Sequence, residues 1–457
     1  MKVKNIIDEE KLKDILNKTK NPTEAGLGRV LVKALKKQGL ALEEVSLLLN
    51  VEEPRLVEKM FQASGRIKQE IYGERLVFFA PLYLSNFCVN DCEYCGFHRR
   101  NLSPRKKLSL DEVREQVKFL IKMGHKRLLL EFGEDPVANP IDYVVDAIKT
   151  IYGVKEGKGE IRRVNVNIAA TSIENYRKLK KAGIGTYQLF QETYHRATYE
   201  KMHNGPKANF ERQLFGHCRA IEAGIDDVGL GVLFGLFDYK FETLALVAHA
   251  QYLEKKYGVG PHTISVPRFQ PAPTVNCRLP QQISEAQLLK IISILRMAVP
   301  YAGIIISTRE SAEMRAKAFE IGVSQTSAAS VTSPGGYGKE NGVEQFVRQD
   351  QRSVDEVLMS ILQQGLLPSF CTACYRTGRT GGKIMGLIKS GEINELCRPN
   401  AILTFQEYLE DYASCAVKSL GKEIIGKYLS QISDEETRNE TAIRLKRIER
   451  GERDLYF

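Results

Sequence analysis

Apolar residues recur every three to four positions through roughly the first 75 residues, most clearly in LGRVLVKALKK and LEEVSLLLN. That spacing predicts helices with one buried face. From about residue 76 the rhythm changes. Short apolar runs now alternate with longer amphipathic stretches. LVFFAPLYL, RLLLEFG, RRVNVNIAA, TYQLFQET, DVGLGVLFG, HTISVPRF, AGIIIST and GVSQTSAAS predict eight strands, most of them separated by helices. The clearest helix is SLDEVREQVKFLIKMG. Ser109 is its N-cap, Glu112 completes a capping box, and Val113, Val117, Leu120 and Gly124 share a face. Eight βα units predict an α/β fold built on a TIM-type (β/α)8 barrel, not an open sheet. The organisation expected is an N-terminal helical segment at 1–75, the barrel at 76–335, and a helical C-terminal domain at 336–457 in which strands no longer occur. The glycine-rich stretch RTGRTGGK in the last part lacks the spacing of a phosphate-binding Walker A loop.

Composition narrows the class. Hydrophobic content of 43% and charged content of 27% are those of a globular protein with a large core. No apolar run reaches transmembrane length, and MKVKNIIDEEKLKD has no apolar segment of a secretory signal, so a cytoplasmic protein without membrane contact is expected. The net charge of +10 is spread through short runs such as KALKK and HRRN, with no aromatic-interleaved basic stretch, which argues against nucleic-acid binding.

Cysteine placement is the informative chemistry. Six of the nine cysteines fall into two groups of three, a pattern of metal binding in a reducing compartment and not of a disulfide scaffold. Cys88, Cys92 and Cys95 stand in CVNDCEYCGF, spaced C-x3-C-x2-C, where the first strand ends and barrel enzymes build active sites. Three thiolates suit a cubane of four irons with one iron left open. A zinc site is the alternative, with His98 as fourth ligand. Cys371, Cys374 and Cys397 form C-x2-C-x22-C, and there Cys415 could close a four-cysteine zinc site. Cys218 and Cys277 stand alone. Among other candidates, Arg309 in STRE follows the seventh strand, and its guanidinium fork is a natural partner for the carboxylate of a free amino acid. Ser307 and the segment Ser327 to Ser330 add hydroxyls, and Arg268 in SVPRF is a second cation.

C-x3-C-x2-C with Tyr94 just before its last cysteine resembles the radical S-adenosylmethionine (SAM) superfamily. That resemblance implies a [4Fe-4S] cluster on Cys88, Cys92 and Cys95 whose open iron chelates SAM. It also implies Tyr94 near the adenine, Gly133 and Glu134 of EFGED near the SAM amino group, and Glu192 of QETY on the ribose; Gln191 beside it would then point away, since neighbours alternate in a strand. With QETY, STRE and the C-terminal C-x2-C-x22-C added, nearly the whole chain resembles the HydG family of [FeFe]-hydrogenase maturases, radical SAM tyrosine lyases. The related ThiH family resembles the barrel only. The HydG resemblance implies a second [4Fe-4S] cluster on Cys371, Cys374 and Cys397, with an additional iron carried through a bound cysteine and helped by His262. L-tyrosine held by Arg309 would be cleaved to p-cresol and dehydroglycine. Dehydroglycine would then give carbon monoxide and cyanide on iron. Implied partners are an electron donor such as ferredoxin or flavodoxin and hydrogenase-maturation scaffold proteins. Such chemistry needs a closed path between the sites, expected as an apolar barrel interior. His262 opens its strand, the wrong end for meeting the C-terminal face of the barrel unless the strand begins earlier or the tail domain covers that side.

Overall fold

A computed structural model of the chain describes residues 2–272, 275, 277, 281–339 and 342–457. Eight parallel strands close on themselves: β1 (Arg75–Ser85), β2 (Arg127–Phe132), β3 (Arg163–Asn167), β4 (Thr186–Gln188), β5 (Asp227–Gly231), β6 (Thr263–Ser265), β7 (Gly303–Ile306) and β8 (Gln325–Ser327). Closure comes from β1 pairing with β8, Val77 opposite Gln325 and Phe79 opposite Ser327. All eight strands expected from the apolar runs are present. The helix Leu110–Lys122 begins at the Ser109–Glu112 capping box, and Val113, Val117 and Leu120 are buried beneath it.

The expectation that strands end near residue 335 is corrected. The helix Val354–Gln363 follows β8 as the eighth barrel helix, and a ninth strand, β9 (Leu367–Ser369), follows it. Val77 pairs with Gln325 on one side and Ser369 on the other, so β9 extends the sheet beneath β2 at the N-terminal mouth. LPS is too short and too lightly apolar to stand out as a strand. Its pairing is made by the overhang of the 11-residue β1.

Four N-terminal helices, the last of them Pro54–Tyr72, cover one flank and pack on Glu285–Ala298. Pro54–Tyr72 runs into β1 through Gly73, whose φ of +61° and contact with Asn394 leave no room for a side chain. The C-terminal helices close the bottom. Glu407 on Ile393–Asp411 is fully buried and pairs with Lys126 at 3.1 Å and Arg162 at 2.9 Å, which ties the tail to the starts of β2 and β3. Phe370 stacks between Phe78 and Tyr408 at 5.4 and 5.1 Å. No described helix is long and apolar enough to cross a membrane.

Candidate functional site

The barrel has a cavity at each mouth. The upper one, at the C-terminal ends of the strands, encloses about 200 Å³. Cys88, Cys92 and Cys95 all line it. Their loop is irregular and is held from behind by Arg105, whose guanidinium donates to the carbonyls of Asn86 (2.7 Å), Phe97 (2.9 Å), His98 (2.6 Å) and Asn101 (3.0 Å). Asn90 Nδ2 donates toward Cys88 Sγ at 3.8 Å. Phe97 N (3.4 Å) and Gln345 Nε2 (3.8 Å) approach Cys95 Sγ. Burial pushes the Cys92 thiol well up and that of Cys95 to about 11, so metal must displace protons from both.

Gly133 lies against this loop. A Cβ there would sit 2.3 Å from the Phe87 carbonyl oxygen and 3.1 Å from Cys88 Cβ, so only glycine allows the approach. The Glu134 carboxylate is engaged by Arg212 and by Asn90 Nδ2 at 2.7 Å. Tyr94 is buried on the cavity wall with its hydroxyl 2.9 Å from His203 Nε2. Glu192 faces the cavity and accepts from Lys207 at 2.7 Å. Gln191 does not line the cavity, but the reason expected was wrong. β4 has already ended at Gln188, and Glu192 is turned by a left-handed φ of +68° instead of by strand alternation.

Arg309 and Ser307 reach the cavity from the end of β7. The Arg309 guanidinium lies 3.2 Å from the centre of the Phe346 ring and makes no hydrogen bond to a described residue. Ser327 and Ser330 line the same wall, and the Ser330 hydroxyl is buried without a partner. Arg268 is a correction. It pairs with Glu310 and donates to the Ile283 carbonyl at 3.2 Å, while its neighbours Pro267 and Phe269 line the cavity. Two residues that the sequence reading passed over are central. Glu131 points inward from β2, and burial raises its carboxyl to about 8. Lys207 arrives from the single 3-10 turn Pro206–Ala208, too short to show a periodicity. Glu131 could have been read from the alternation of RLLLEFG, which sends every second side chain inward.

The lower cavity, about 70 Å³, lies at the N-terminal mouth. Cys371, Cys374 and Cys397 line it together with His262, Arg75, Arg127, Arg163 and Tyr375. The tail therefore covers the mouth that His262 faces, and the strand position that made His262 doubtful is what brings it to these cysteines. Its Nδ1 is buried without a hydrogen-bond partner, 3.8 Å from Asp227, and burial lowers its basicity toward the neutral, ligating form. The Cys397 thiol bonds Cys374 Sγ; that bond, with Arg379 and Arg75 nearby, lowers Cys374, and the same bond together with burial raises Cys397. The glycine-rich RTGRTGGK stretch caps an acid, not a phosphate: Gly381, at φ +55°, donates its N–H to Asp227 at 3.1 Å.

The alternative fourth zinc ligands lie elsewhere. His98 is bonded to Asp91 at 2.9 Å and does not line the upper cavity; Cys415 is exposed at the start of Cys415–Ser430 and does not line the lower. Among the described residues no three donors converge on a single-ion site. Each cavity is lined by three thiolates, and neither alternative ligand completes a four-ligand zinc site, which leaves the donor set of a cubane with one open iron. Cys218 is buried in the core, and Cys277 packs partly buried beside the Cys92–Tyr94 wall.

A family model for the radical SAM superfamily matches residues 82–249, and one for the biotin and thiamin synthesis associated domain matches 265–367. The 2-iminoacetate synthase of Salmonella typhimurium is 32% identical over 339 residues, 74% of this chain and 88% of the relative. A crystal structure of HydG, a maturase of the [FeFe]-hydrogenase, is 53% identical over 99% of this chain and 100% of that one, with a TM-score of 0.97. The HydG structure from Carboxydothermus hydrogenoformans is 40% identical over 95% of this chain and 97% of that one, with a TM-score of 0.84. A closed barrel with a cysteine-lined cavity at each mouth, matched end to end at this identity, makes the chain a member of the radical SAM superfamily and, within it, of the HydG family of [FeFe]-hydrogenase maturases.

Proposed function

We propose that the chain cleaves L-tyrosine to p-cresol and dehydroglycine in the upper cavity and converts dehydroglycine to carbon monoxide and cyanide at the lower one, for assembly of the [FeFe]-hydrogenase H-cluster. The observation that carries this reading is the pair of three-cysteine sets at opposite mouths of one closed barrel, with Arg309 unpaired at the upper. Cys88, Cys92 and Cys95 would hold the first [4Fe-4S] cluster, with Tyr94, Gly133, Glu134 and Glu192 around SAM. Cys371, Cys374 and Cys397 would hold the second, with His262 on the additional iron that carries cysteine. When bound, these groups supply one-electron cleavage of SAM to a hydrogen-abstracting alkyl radical above, and iron to trap diatomic products below.

The chain's own residues do the rest. Arg309, desolvated and backed by Phe346, offers its fork to the tyrosine carboxylate, and Ser307 stands two residues away. Glu131, protonated near neutral pH, is a hydrogen-bond donor on the same wall. With the carboxylate fixed, loss of a hydrogen atom from the amine weakens the Cα–Cβ bond. The 4-hydroxybenzyl fragment takes one electron and one proton to leave as p-cresol. Dehydroglycine, in its neutral form, has the atoms of one carbon monoxide, one hydrogen cyanide and one water, so the second reaction needs no outside oxidant.

The cavities are separated by little. Val77, Arg127, Gly303 and Gln325 line the lower one, and Phe79, Leu129, Ile305 and Ser327, two residues further along the same strands, line the upper. One layer is crossed, about 7 Å at strand rise. The interior is not wholly apolar as expected. Phe79, Leu129 and Ile305 form an apolar layer, but Asn165 and Thr186 lie buried below it.

An electron donor such as ferredoxin or flavodoxin, and hydrogenase-maturation scaffold proteins that take up the product, are partners this reading requires. All nine cysteines are free, which suits a reducing cytoplasm. The test is anaerobic incubation with SAM, tyrosine, cysteine, iron and dithionite, following p-cresol and carbon monoxide together. Cys371→Ala and Cys374→Ala should keep p-cresol and lose carbon monoxide. The match to 2-iminoacetate synthase favours a second reading, in which dehydroglycine leaves the protein. Cresol without carbon monoxide from the unmodified protein would select it. About one zinc per chain, in place of about eight irons, would remove both readings.

A further inference from the structure

The lower cavity holds more positive charge than its cysteine ligands call for. Arg75, Arg127 and Arg163 all line it. Arg127 donates to the Cys371 carbonyl at 2.6 Å, and Arg163 to Asn165 Oδ1 at 2.9 Å and Thr186 Oγ1 at 2.6 Å, all neutral acceptors. Arg75 donates no side-chain hydrogen bond to a described residue, and Nε of both Arg75 and Arg127 is buried without a partner. The nearest acid, Asp227, is occupied by the Tyr375 hydroxyl at 2.5 Å and the Gly381 N–H at 3.1 Å. Arg163 is held face-on, 3.0 Å from the centre of the Tyr375 ring.

Three guanidiniums in a buried cavity need counter-charge, since an uncompensated buried ion costs several kcal/mol. Asp227 supplies one negative charge. Three thiolates on a doubly positive cubane supply one more. One guanidinium remains unbalanced, and Nε of Arg75 and of Arg127 has no partner. A fork of this kind matches a planar carboxylate.

We infer that Arg75, Arg127 and Arg163 form a carboxylate-binding basin for a two-carbon α-imino acid, which seats dehydroglycine beside the second cysteine set. The inference rests on the proposed function, which makes such an acid in the upper cavity. The other source of the same chemistry is the carboxylate of free cysteine, and the test separates the two.

The experiment titrates oxamate, a stable acid with the same planar N–C–COO⁻ frame, into the anaerobic holoenzyme by calorimetry. Arg75→Gln and Arg127→Gln should each weaken binding by about tenfold or more, about 1.4 kcal/mol. Arg309→Gln, in the other cavity, should change it by less than about twofold. Arg75 donates no side-chain hydrogen bond to a described residue, so Arg75→Gln carries the test should Arg127→Gln lose its clusters. In turnover with tyrosine, the same two variants should raise the ratio of glyoxylate, the hydrolysis product of escaped dehydroglycine, to carbon monoxide. Oxamate binding that survives both basin variants but fails in Arg309→Gln overturns the inference, as does no binding at all. Binding abolished by preloading iron and cysteine would give the basin to cysteine and also overturn it. Wild-type enzyme that makes neither p-cresol nor carbon monoxide sinks the proposed function instead, whatever oxamate does.

Discussion

Replacing Arg309 with Gln tests the substrate assignment most directly. The guanidinium lines the upper cavity, stacks on Phe346 and donates no hydrogen bond to a described residue. Its removal therefore breaks no internal network, and stability should change little. Loss for the substrate is larger. A charge-assisted bidentate pair is worth roughly 1.5–3 kcal/mol, and leaving a desolvated carboxylate unpaired adds about 1–3 kcal/mol more. Taking about 3–4 kcal/mol overall, kcat/KM for tyrosine falls by about two to three powers of ten. Arg309→Lys restores the charge without the fork and should recover only part of the loss. The assay is p-cresol release against tyrosine concentration, with 5′-deoxyadenosine measured alongside. SAM cleavage should persist while its coupling to p-cresol falls. If Arg309→Gln keeps kcat/KM within about threefold, Arg309 is not the carboxylate anchor and the argument from its unpaired donors is wrong.

Three further outcomes follow from the geometry. Glu407→Gln leaves Lys126 as a buried, unpaired charge and Arg162 with only Asp454 at 3.0 Å and Glu160 at 3.8 Å; urea unfolding should show about 3 kcal/mol less stability, with the C-terminal helices released first. Arg105→Ala removes five charge-assisted bonds from behind the upper cysteine loop, and iron content of reconstituted protein should drop from about eight toward about four per chain. Glu131 is raised from 4.5 to about 8, so the folded state keeps a proton that the unfolded chain loses. Its contribution to stability is greatest below pH 4.5 and declines as pH rises toward about 8, and its donor role in turnover is lost above that. In Glu131→Gln both pH dependences should flatten, which denaturation midpoints and kcat/KM profiles between pH 6 and 9 would check; an unchanged alkaline limb would remove Glu131 from the reaction.

What the sequence made legible follows from the length scale of each signal. The barrel strands showed themselves because each is a short apolar run buried on both sides, and helix starts such as Ser109–Glu112 are local chemistry. The first cysteine set was legible because three thiolates within one loop must converge; the second was legible only through its C-x2-C pair, since Cys397 joins it from a separate helix, Ile393–Asp411. β9 was hidden: three residues, LPS, become a strand only because the overhang of β1 lends them a partner. Arg268 misled for the opposite reason. It sits where a mouth residue should, but Glu310, 42 positions away, captures it. The three basin arginines belong to strands beginning 36 or more residues apart, and nothing local distinguishes them from surface arginines. Only closure of the barrel brings them together.

The arrangement of charge along the barrel suggests why two chemistries share one interior. The upper cavity presents Arg309, which makes no hydrogen bond to a described residue, and the lower is lined by three guanidiniums, with Phe79, Leu129 and Ile305 between them. A carboxylate released from Arg309 when the Cα–Cβ bond breaks has lost its aromatic anchor and is small enough to pass one layer of side chains. The basin offers it donors that need no reorganisation. An imine hydrolyses in water, so the apolar layer matters as a barrier to solvent as much as a passage. Substituting Leu129 or Ile305 by Asn should then raise escape of glyoxylate without touching either cysteine set. That coupling of charge at both ends to dryness in the middle is what a barrel supplies and an open sheet does not.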